Sequence, residues 1–234
     1  MTTGTGGQLP LALRHSPDQR LDPVGGARPG AFDQLRALAT PPGADWLFVA
    51  GPPGVGKTHL ALAVCAAAEA VGRHAAYLPL AAARGRLRAA LDALHGHDVV
   101  AIAGDRAQPI QRDDEVALFD FHNRARSAGT AVLYAAEAGP DALPLVLPDL
   151  RSRLGQCARV VLAPLDDEGR RQVLRERARR RGLVLDEAAL EWLLRRVGRD
   201  LASLTALLDR LDRASLAAQR RITVPFLRDT IGPP

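Results

Sequence analysis

Residues 51–58 have the residue types and spacing needed to bind phosphate groups. They read Gly51, Pro52, Pro53, Gly54, Val55, Gly56, Lys57 and Thr58, and they match the pattern G-x-x-x-x-G-K-[ST]. Glycines in such a loop let backbone N–H groups converge on phosphate oxygens, and the following helix offers its positive N-terminus. Thr58 is placed to supply a hydroxyl to Mg²⁺. The segment therefore predicts a bound nucleoside phosphate, ADP or ATP, together with Mg²⁺.

The use of lysine supports this prediction. Lys57 is the only lysine in the chain, and all the other residues among its 31 lysines and arginines are arginine. An ammonium is compact enough to reach the β- and γ-phosphates, whereas a planar guanidinium does not fit the same cradle. A composition that favours arginine but keeps one lysine at this place indicates a loop that still holds phosphate.

Apolar runs alternate with segments of helical period on both sides of the loop. The apolar runs predict five strands, at 46–50, 75–80, 99–103, 130–135 and 159–162. The helical periods predict helices at 32–38, 59–71, 84–94 and 114–127. The loop thus lies between a strand and a helix, as the motif requires, and the alternation predicts a parallel sheet covered on both faces.

The pattern changes after Pro164, where amphipathic segments follow one another without a strand. They lie at 166–180, 186–196 and 201–217, and residues 222–231 could add one more element. Asp166 and Asp186 are candidate N-caps, and Gly182 and Gly198 are candidate helix stops. We therefore predict a flexible tail at 1–30, an α/β nucleotide-binding domain at 31–164 and a small three-helix lid at 165–234.

Composition places the chain among ordinary cytoplasmic proteins. The 234 residues are 47% hydrophobic and carry a net charge of +5, which permits contact with an acidic partner or nucleic acid. Most arginines alternate with acids along helices, however, which is typical of solvated helix faces. No run is long enough to cross a bilayer, and the two cysteines, Cys65 and Cys157, are interpreted as reduced thiols.

An α/β nucleotide domain followed by a helical lid resembles the AAA+ class of P-loop NTPases. Further stretches resemble the Hda family more narrowly, namely Phe119-Asp120-Phe121-His122-Asn123-Arg124, Pro148-Asp149-Leu150-Arg151-Ser152-Arg153-Leu154, Leu211-Asp212-Arg213-Ala214-Ser215 and Gln219-Arg220-Arg221-Ile222-Thr223-Val224-Pro225-Phe226. Hda proteins are bacterial relatives of the replication initiator DnaA that promote its inactivation. The resemblance runs from Gln8 to Phe226, which is nearly the whole chain.

The resemblance implies two partners. An N-terminal string in this family docks into the sliding clamp of DNA polymerase III, its β subunit, and the matching residues here are Gln8, Leu9, Pro10, Leu11, Ala12 and Leu13. The family also keeps an arginine finger that acts on the nucleotide held by DnaA, and this falls on Arg153, in a Pro-Asp-Leu-Arg-Ser turn. Arg151, two residues earlier, is the alternative candidate for the arginine finger. An arginine finger requires side-by-side contact with another AAA+ subunit. That subunit is DnaA in this interpretation, and a second copy of this chain is the other option.

The chain ends after the lid, whereas the initiator continues into a helix-turn-helix module. We therefore expect no sequence-specific DNA binding, and no membrane partner.

Several catalytic positions of the family carry small apolar residues here. The aspartate that organises Mg²⁺ falls on Ala103 and the next polar position on Gly104, with Asp105 as a possible substitute. The residue that orients the attacking water falls on Ala135 or Ala136, and the lid arginine falls on Ala202. Because hydrolysis depends on positioning of metal and water, we expect nucleotide binding with little or no intrinsic ATPase activity.

Two functions follow from these observations, and a third interpretation, a scaffold with a relict loop that exchanges no nucleotide, is disfavoured by the retention of Lys57. The first is a negative regulator of DNA replication initiation, which the clamp recruits and which stimulates hydrolysis of the ATP bound to DnaA. The alternative is an independent AAA+ ATPase, such as a helicase loader or a transposition helper. The alternative needs working polar groups after the third and fourth strands, where Ala103 and Ala135 stand.

Overall fold

The structure is a computed structural model, and it describes residues 20–21, 30–41, 46–104, 110–196, 201–218 and 222–231. Its centre is a five-stranded parallel sheet in the order β2-β3-β4-β1-β5. The strands are β1 Leu47–Ala50, β2 Ala75–Pro79, β3 Val99–Ala103, β4 Ala131–Ala136 and β5 Ala158–Val161. The predicted parallel sheet of five strands is confirmed, with strand bounds shifted by a residue at some ends.

Five α-helices cover the two faces of the sheet. They are α1 Ala31–Ala39, α2 Lys57–Ala70, α3 Leu87–Asp92, α4 Arg112–Ala128 and α5 Pro148–Gly155. Alternate strand residues point to opposite faces. Leu47 and Val49 therefore pack with α1 and α2, whereas Phe48 packs with α3, α4 and α5. The central strands β1, β3 and β4 are buried on both faces, which is why they read as continuous apolar runs.

Two local predictions differ from the structure. The helix predicted at 84–94 begins only at Leu87, after a 3₁₀ segment at Leu80–Ala83, because Gly85 has a left-handed φ of 72° that interrupts the helix. The segment that contains Arg153 was predicted as a turn and forms helix α5 instead. Pro148 occupies the first position of this helix, where its fixed φ and missing N–H are well tolerated.

The C-terminal part is a separate helical bundle with an apolar core of its own. Its helices are α6 Asp167–Arg180, α7 Glu187–Arg196, α8 Leu201–Ala218 and α9 Val224–Ile231, so the last segment adds a fourth helix to the three predicted. Asp166 caps α6 by accepting the N–H of Gly169 at 2.7 Å, and Asp186 accepts that of Ala189 at 2.7 Å. Both predicted caps are confirmed.

Gly182 ends α6 with a φ of 68°, as predicted. The stop predicted at Gly198 lies outside the described residues. Within the residues that the structure describes, no helix combines the length and apolar character needed to cross a membrane.

Candidate functional site

The phosphate-binding loop connects β1 to α2 at the carboxyl edge of the sheet. Gly54 and Gly56 have left-handed φ values of 78° and 101°, which glycine adopts without steric cost. Gly56 is also the N-cap of α2, and neither it nor the first turn of the helix presents a capping or acidic side chain. The helix terminus therefore offers its N–H groups to an anion, and a phosphate group fits there.

The first residue of the loop is closely packed between two strand ends. The N–H of Gly51 donates to the carbonyl of Ala136, the last residue of β4, at 3.2 Å, and the N–H of Leu162 donates to the carbonyl of Ala50 at 2.8 Å. A Cβ at Gly51 would lie 2.7 Å from the carbonyl oxygen of Leu162. Only glycine fits this position without displacing backbone.

The Lys57 ammonium lies against the loop that contains it. Its Nζ donates to the carbonyl of Gly51 at 2.6 Å and to that of Pro52 at 2.8 Å. Two carbonyls of the loop thus orient the ammonium where a phosphate group is expected, and Thr58 is exposed beside it. These residues fit a nucleoside phosphate, and Thr58 is the described residue that would contact Mg²⁺.

The strand ends next to the loop carry the small residues noted in the sequence. Ala103 ends β3 and pairs with Ala135 of β4, and the N–H of Gly104 donates to Ala135 at 2.8 Å. In the described part of the chain, no three histidine, cysteine or acidic side chains form a metal-binding group. Asp105 lies outside the described residues, whereas Ala202 lies on α8.

Sequence reasoning missed Glu137, which follows β4 directly and is half-buried. The available signal was a charged residue directly after an apolar strand, the place where polar groups of a parallel sheet reach a bound ligand.

Arg151 and Arg153 lie on α5 but differ in their contacts. The Arg151 guanidinium donates to the carbonyl of Asp141 at 3.0 Å and also to that of Leu145, so it is engaged in holding a loop. The Arg153 side chain is half-buried, and within the described residues its guanidinium has no hydrogen bond. Of the two arginines, Arg151 is the one whose guanidinium contacts backbone carbonyls of the described residues.

Topology separates Arg153 from the phosphate loop of the same chain. The loop follows β1 at the carboxyl edge, whereas α5 leads into the amino end of β5, where Ala158 pairs with Leu47. The sulfhydryl of Cys157 contacts the Arg153 carbonyl at 3.8 Å. A four-residue strand spans roughly 13 Å at about 3.3 Å per residue. Arg153 therefore lies near the opposite edge of the sheet from its own loop.

A buried histidine lies close to Arg153 and Arg126. His122 on α4 is 1% exposed, and its ring lies 4.4 Å from that of Trp46. Burial, followed by the positive charges of Arg153 and Arg126, lowers the pKa of His122 to about 4. Its spacing of four residues from Leu118 and three from Ala125, on the buried face of α4, was the available signal.

A second missed residue is Glu115 on α4, which is fully buried. Its carboxylate accepts the N–H groups of Val146 and Leu147, the residues that precede α5. Its place in the first turn of α4, beside the acids Asp113 and Asp114, gives no separate signal for this role.

The predicted clamp-binding residues 8–13 lie outside the described residues.

Comparisons with known proteins agree with this architecture. Residues 167–231 match the family model described as "Hda, lid domain". Domain III of the replication initiation protein DnaA from Thermotoga maritima is similar in structure, with a TM-score of 0.71 at 20% identity over 93% of this chain and 99% of that one. AMPPCP-bound DnaA from Aquifex aeolicus is similar with a TM-score of 0.68 at 18% identity, covering 86% of this chain and 66% of that chain.

A further similar structure is RuvB from Thermotoga maritima, a Holliday junction branch migration motor. Its TM-score is 0.57 at 19% identity over 85% of this chain and 65% of that one. The chain spans about two thirds of the length of the AMPPCP-bound DnaA chain. At these identities the structural likeness shows a shared AAA+ fold, and the lid match adds the relation to Hda.

Proposed function

Because the chain is a Hda-like AAA+ protein related to DnaA, we propose that it is a negative regulator of DNA replication initiation. In this proposal it binds a nucleotide in residues 51–58 and stimulates hydrolysis of ATP held by the initiator DnaA. Residues 31–164 form the nucleotide-binding domain and residues 165–234 the lid. It acts in the cytoplasm, where replication takes place.

Binding of ADP or ATP is supported by the shape of the loop and by the placement of Lys57. The N-terminus of α2, which has no side-chain cap, and the ammonium held by Gly51 and Pro52 neutralise and cradle phosphate. These contacts are sufficient to bind phosphate, but hydrolysis also needs an oriented water and a positioned Mg²⁺. Faster turnover requires interactions that strengthen in the transition state, and the ends of β3 and β4 carry Ala103 and Ala135 instead. The bound nucleotide therefore serves mainly to hold the fold and the lid in place.

The position of Arg153 is the observation that carries the proposal. It lies near the opposite edge of the sheet from Lys57, with no hydrogen bond of its guanidinium within the described residues, while Arg151 is engaged by Asp141 and Leu145. An arginine that cannot reach its own nucleotide but is available at the surface suits action on a neighbouring subunit. There its positive charge stabilises the charge that develops as the γ-phosphoryl group transfers.

We propose that residues 8–13 recruit this chain to the sliding clamp. The Gln8 amide can hydrogen-bond at the rim of a pocket, while Leu9, Leu11 and Leu13 offer apolar anchors in an extended chain. The partner is the β subunit sliding clamp of DNA polymerase III. This places the regulator on DNA that is being replicated and so couples inactivation of DnaA to replication.

The test combines clamp loaded on DNA, ATP-bound DnaA and this chain, and follows conversion of ATP to ADP. We expect stimulated conversion with the intact chain, loss of stimulation with Arg153→Ala at unchanged clamp binding, and loss of clamp binding with Gln8→Ala. An Arg195→Ala variant is the matched control, since Arg195 is an exposed arginine of the lid. Full stimulation by Arg153→Ala would refute the proposed role.

An independent ATPase is the second candidate, and Glu137 is the observation that favours it. This half-buried carboxylate follows β4 beside Ala136, whose carbonyl accepts the N–H of Gly51. A turnover assay with the purified chain and ATP separates the two. Sustained hydrolysis that disappears in both Lys57→Ala and Glu137→Gln would establish the ATPase, whereas no turnover supports the regulator.

A further inference from the structure

Helix α5, which carries Arg153, begins without a capping side chain of its own. Its N-cap residue is Leu147, and no side chain of the helix accepts its first N–H groups. The carboxylate of Glu115 lies at this end instead. It accepts the N–H of Val146 at 2.9 and 3.0 Å and that of Leu147 at 2.6 Å.

The burial of Glu115 makes this contact specific. Its side chain is 0% exposed, and a carboxylate removed from water needs donors that replace its hydration. The two backbone N–H groups provide charge-assisted hydrogen bonds of this kind. α4 and the start of α5 are thereby fixed to each other by one side chain.

The loop that precedes α5 is also held from the other side. The Arg151 guanidinium reaches back from the helix to the carbonyls of Asp141 and Leu145. The carboxylate therefore binds N–H groups of the segment, and the guanidinium binds its carbonyls. With both kinds of backbone group engaged, the loop cannot shift without breaking a charged contact, and α5 cannot rotate freely.

We propose that Glu115 and Arg151 are positioning residues that hold α5 so that Arg153 is presented in one fixed orientation. This inference rests on the function proposed above, in which Arg153 acts on the nucleotide of DnaA. Neither residue touches that nucleotide. They act through Arg153, because a misplacement of about 1 Å at a catalytic group can lower a rate about a hundredfold.

The test measures hydrolysis by ATP-bound DnaA, with clamp on DNA, as the concentration of this chain is raised. Glu115→Gln replaces one acceptor oxygen by an NH₂ group facing backbone donors. We expect its maximal stimulated rate to fall at least about tenfold, while the concentration that gives half the maximal rate stays unchanged. Asp113→Asn removes a charge from the same turn of α4, but from an exposed side chain, and should keep the wild-type maximal rate.

A double variant shows whether Glu115 acts through the arginine. Glu115→Gln combined with Arg153→Ala should be no slower than Arg153→Ala alone, since the positioned group is already missing. A wild-type maximal rate in folded Glu115→Gln overturns the inference, and so does a double variant slower than Arg153→Ala. If wild type and Arg153→Ala stimulate equally, the proposed function itself fails and this inference fails with it.

Arg151 variants give an independent measurement if Glu115→Gln does not fold. Lysine keeps one positive donor for the loop carbonyls, so the Arg151→Lys rate should lie between those of wild type and Arg151→Ala. Equal loss in both Arg151 variants would contradict a positioning role.

Discussion

His122 and Tyr134 share a hydrogen bond between the imidazole Nδ1 and the phenol oxygen at 3.2 Å. The pair joins α4 to β4 in the core, and the rings are stacked at 6.0 Å between centroids. Within the described residues Nε2 has no hydrogen-bond partner. A proton added there would be buried without an acceptor and close to two arginines, so the folded protein favours the neutral ring.

This geometry predicts a loss of stability on mild acidification. The pKa of His122 is lowered from 6.5 to about 4, so the unfolded chain takes up a proton there before the folded chain does. Stability should therefore be full above pH 6.5 and decrease as the pH falls towards 4. Between pH 6.5 and pH 5 the free energy of unfolding should fall by about 2 kcal/mol, because one extra proton bound by the unfolded chain changes it by about 1.4 kcal/mol per pH unit.

The measurement is the free energy of unfolding in urea as a function of pH. His122→Asn can still hydrogen-bond the Tyr134 hydroxyl but cannot titrate, so its stability should change less over this range. His95→Gln alters an exposed histidine and should keep the wild-type slope. An unchanged slope in His122→Asn would show that the histidine is not responsible.

Replacement of Lys57 by arginine should weaken nucleotide binding although the charge is kept. The loop carbonyls of Gly51 and Pro52 accept a single ammonium nitrogen at 2.6 and 2.8 Å, and a guanidinium is planar and larger. Loss of a charged hydrogen-bonding contact corresponds to roughly a 10- to 100-fold weaker Kd. Calorimetric titration with ADP and ATP measures this, with Arg195→Lys on the exposed lid surface as the control. Equal affinity of Lys57→Arg and wild type would contradict the requirement for a compact ammonium at this position.

Gly51→Ala should destabilise the fold and disrupt the loop together. The added methyl would lie 2.7 Å from the Leu162 carbonyl oxygen, which is backbone, and 3.0 Å from Val55. Overpacking of this kind costs about 1–3 kcal/mol. Gly155→Ala is the matched control, because a Cβ there meets nothing within 4 Å. Thermal unfolding and ADP titration of both variants check the prediction, and a Gly51→Ala protein as stable as Gly155→Ala would disprove it.

The two cysteines should be unreactive in the folded protein. Burial, with the charge of Glu69 adding to it, raises the pKa of Cys65 to about 12, and burial raises that of Cys157 to about 11. At pH 8 the reactive thiolate is then roughly a hundredfold or more scarcer than in an exposed cysteine. A colorimetric thiol reagent should react slowly until denaturant is added. Val71→Cys, at a half-exposed position, should add one fast-reacting thiol, and rapid reaction of the wild type would contradict the burial of both sulfurs.

The phosphate loop and the sheet could be predicted from the sequence because their signals are local. The loop is a contiguous motif, and each strand is a short apolar run, with the central ones buried on both faces. The signals for the helix caps at Asp166 and Asp186 are also local, since each side chain accepts the N–H of the residue three positions later.

Helix α5 could not be predicted in the same way. Its N-terminus is held by Glu115, which lies 32 residues before Leu147 in the chain, so the segment itself carries no capping signal beyond Pro148. The sequence likewise could not distinguish Glu115 from Asp113, because the difference between a buried and an exposed carboxylate arises only when α4 packs against the loop before α5.

The lone ammonium folded onto the Gly51 and Pro52 carbonyls has one further consequence. Enzymes or metabolites that acylate lysine have a single side chain to modify in this protein. An acetyl group on Nζ removes the positive charge, so any lysine acetylation of this chain would remove the one ammonium that lies in its phosphate-binding loop.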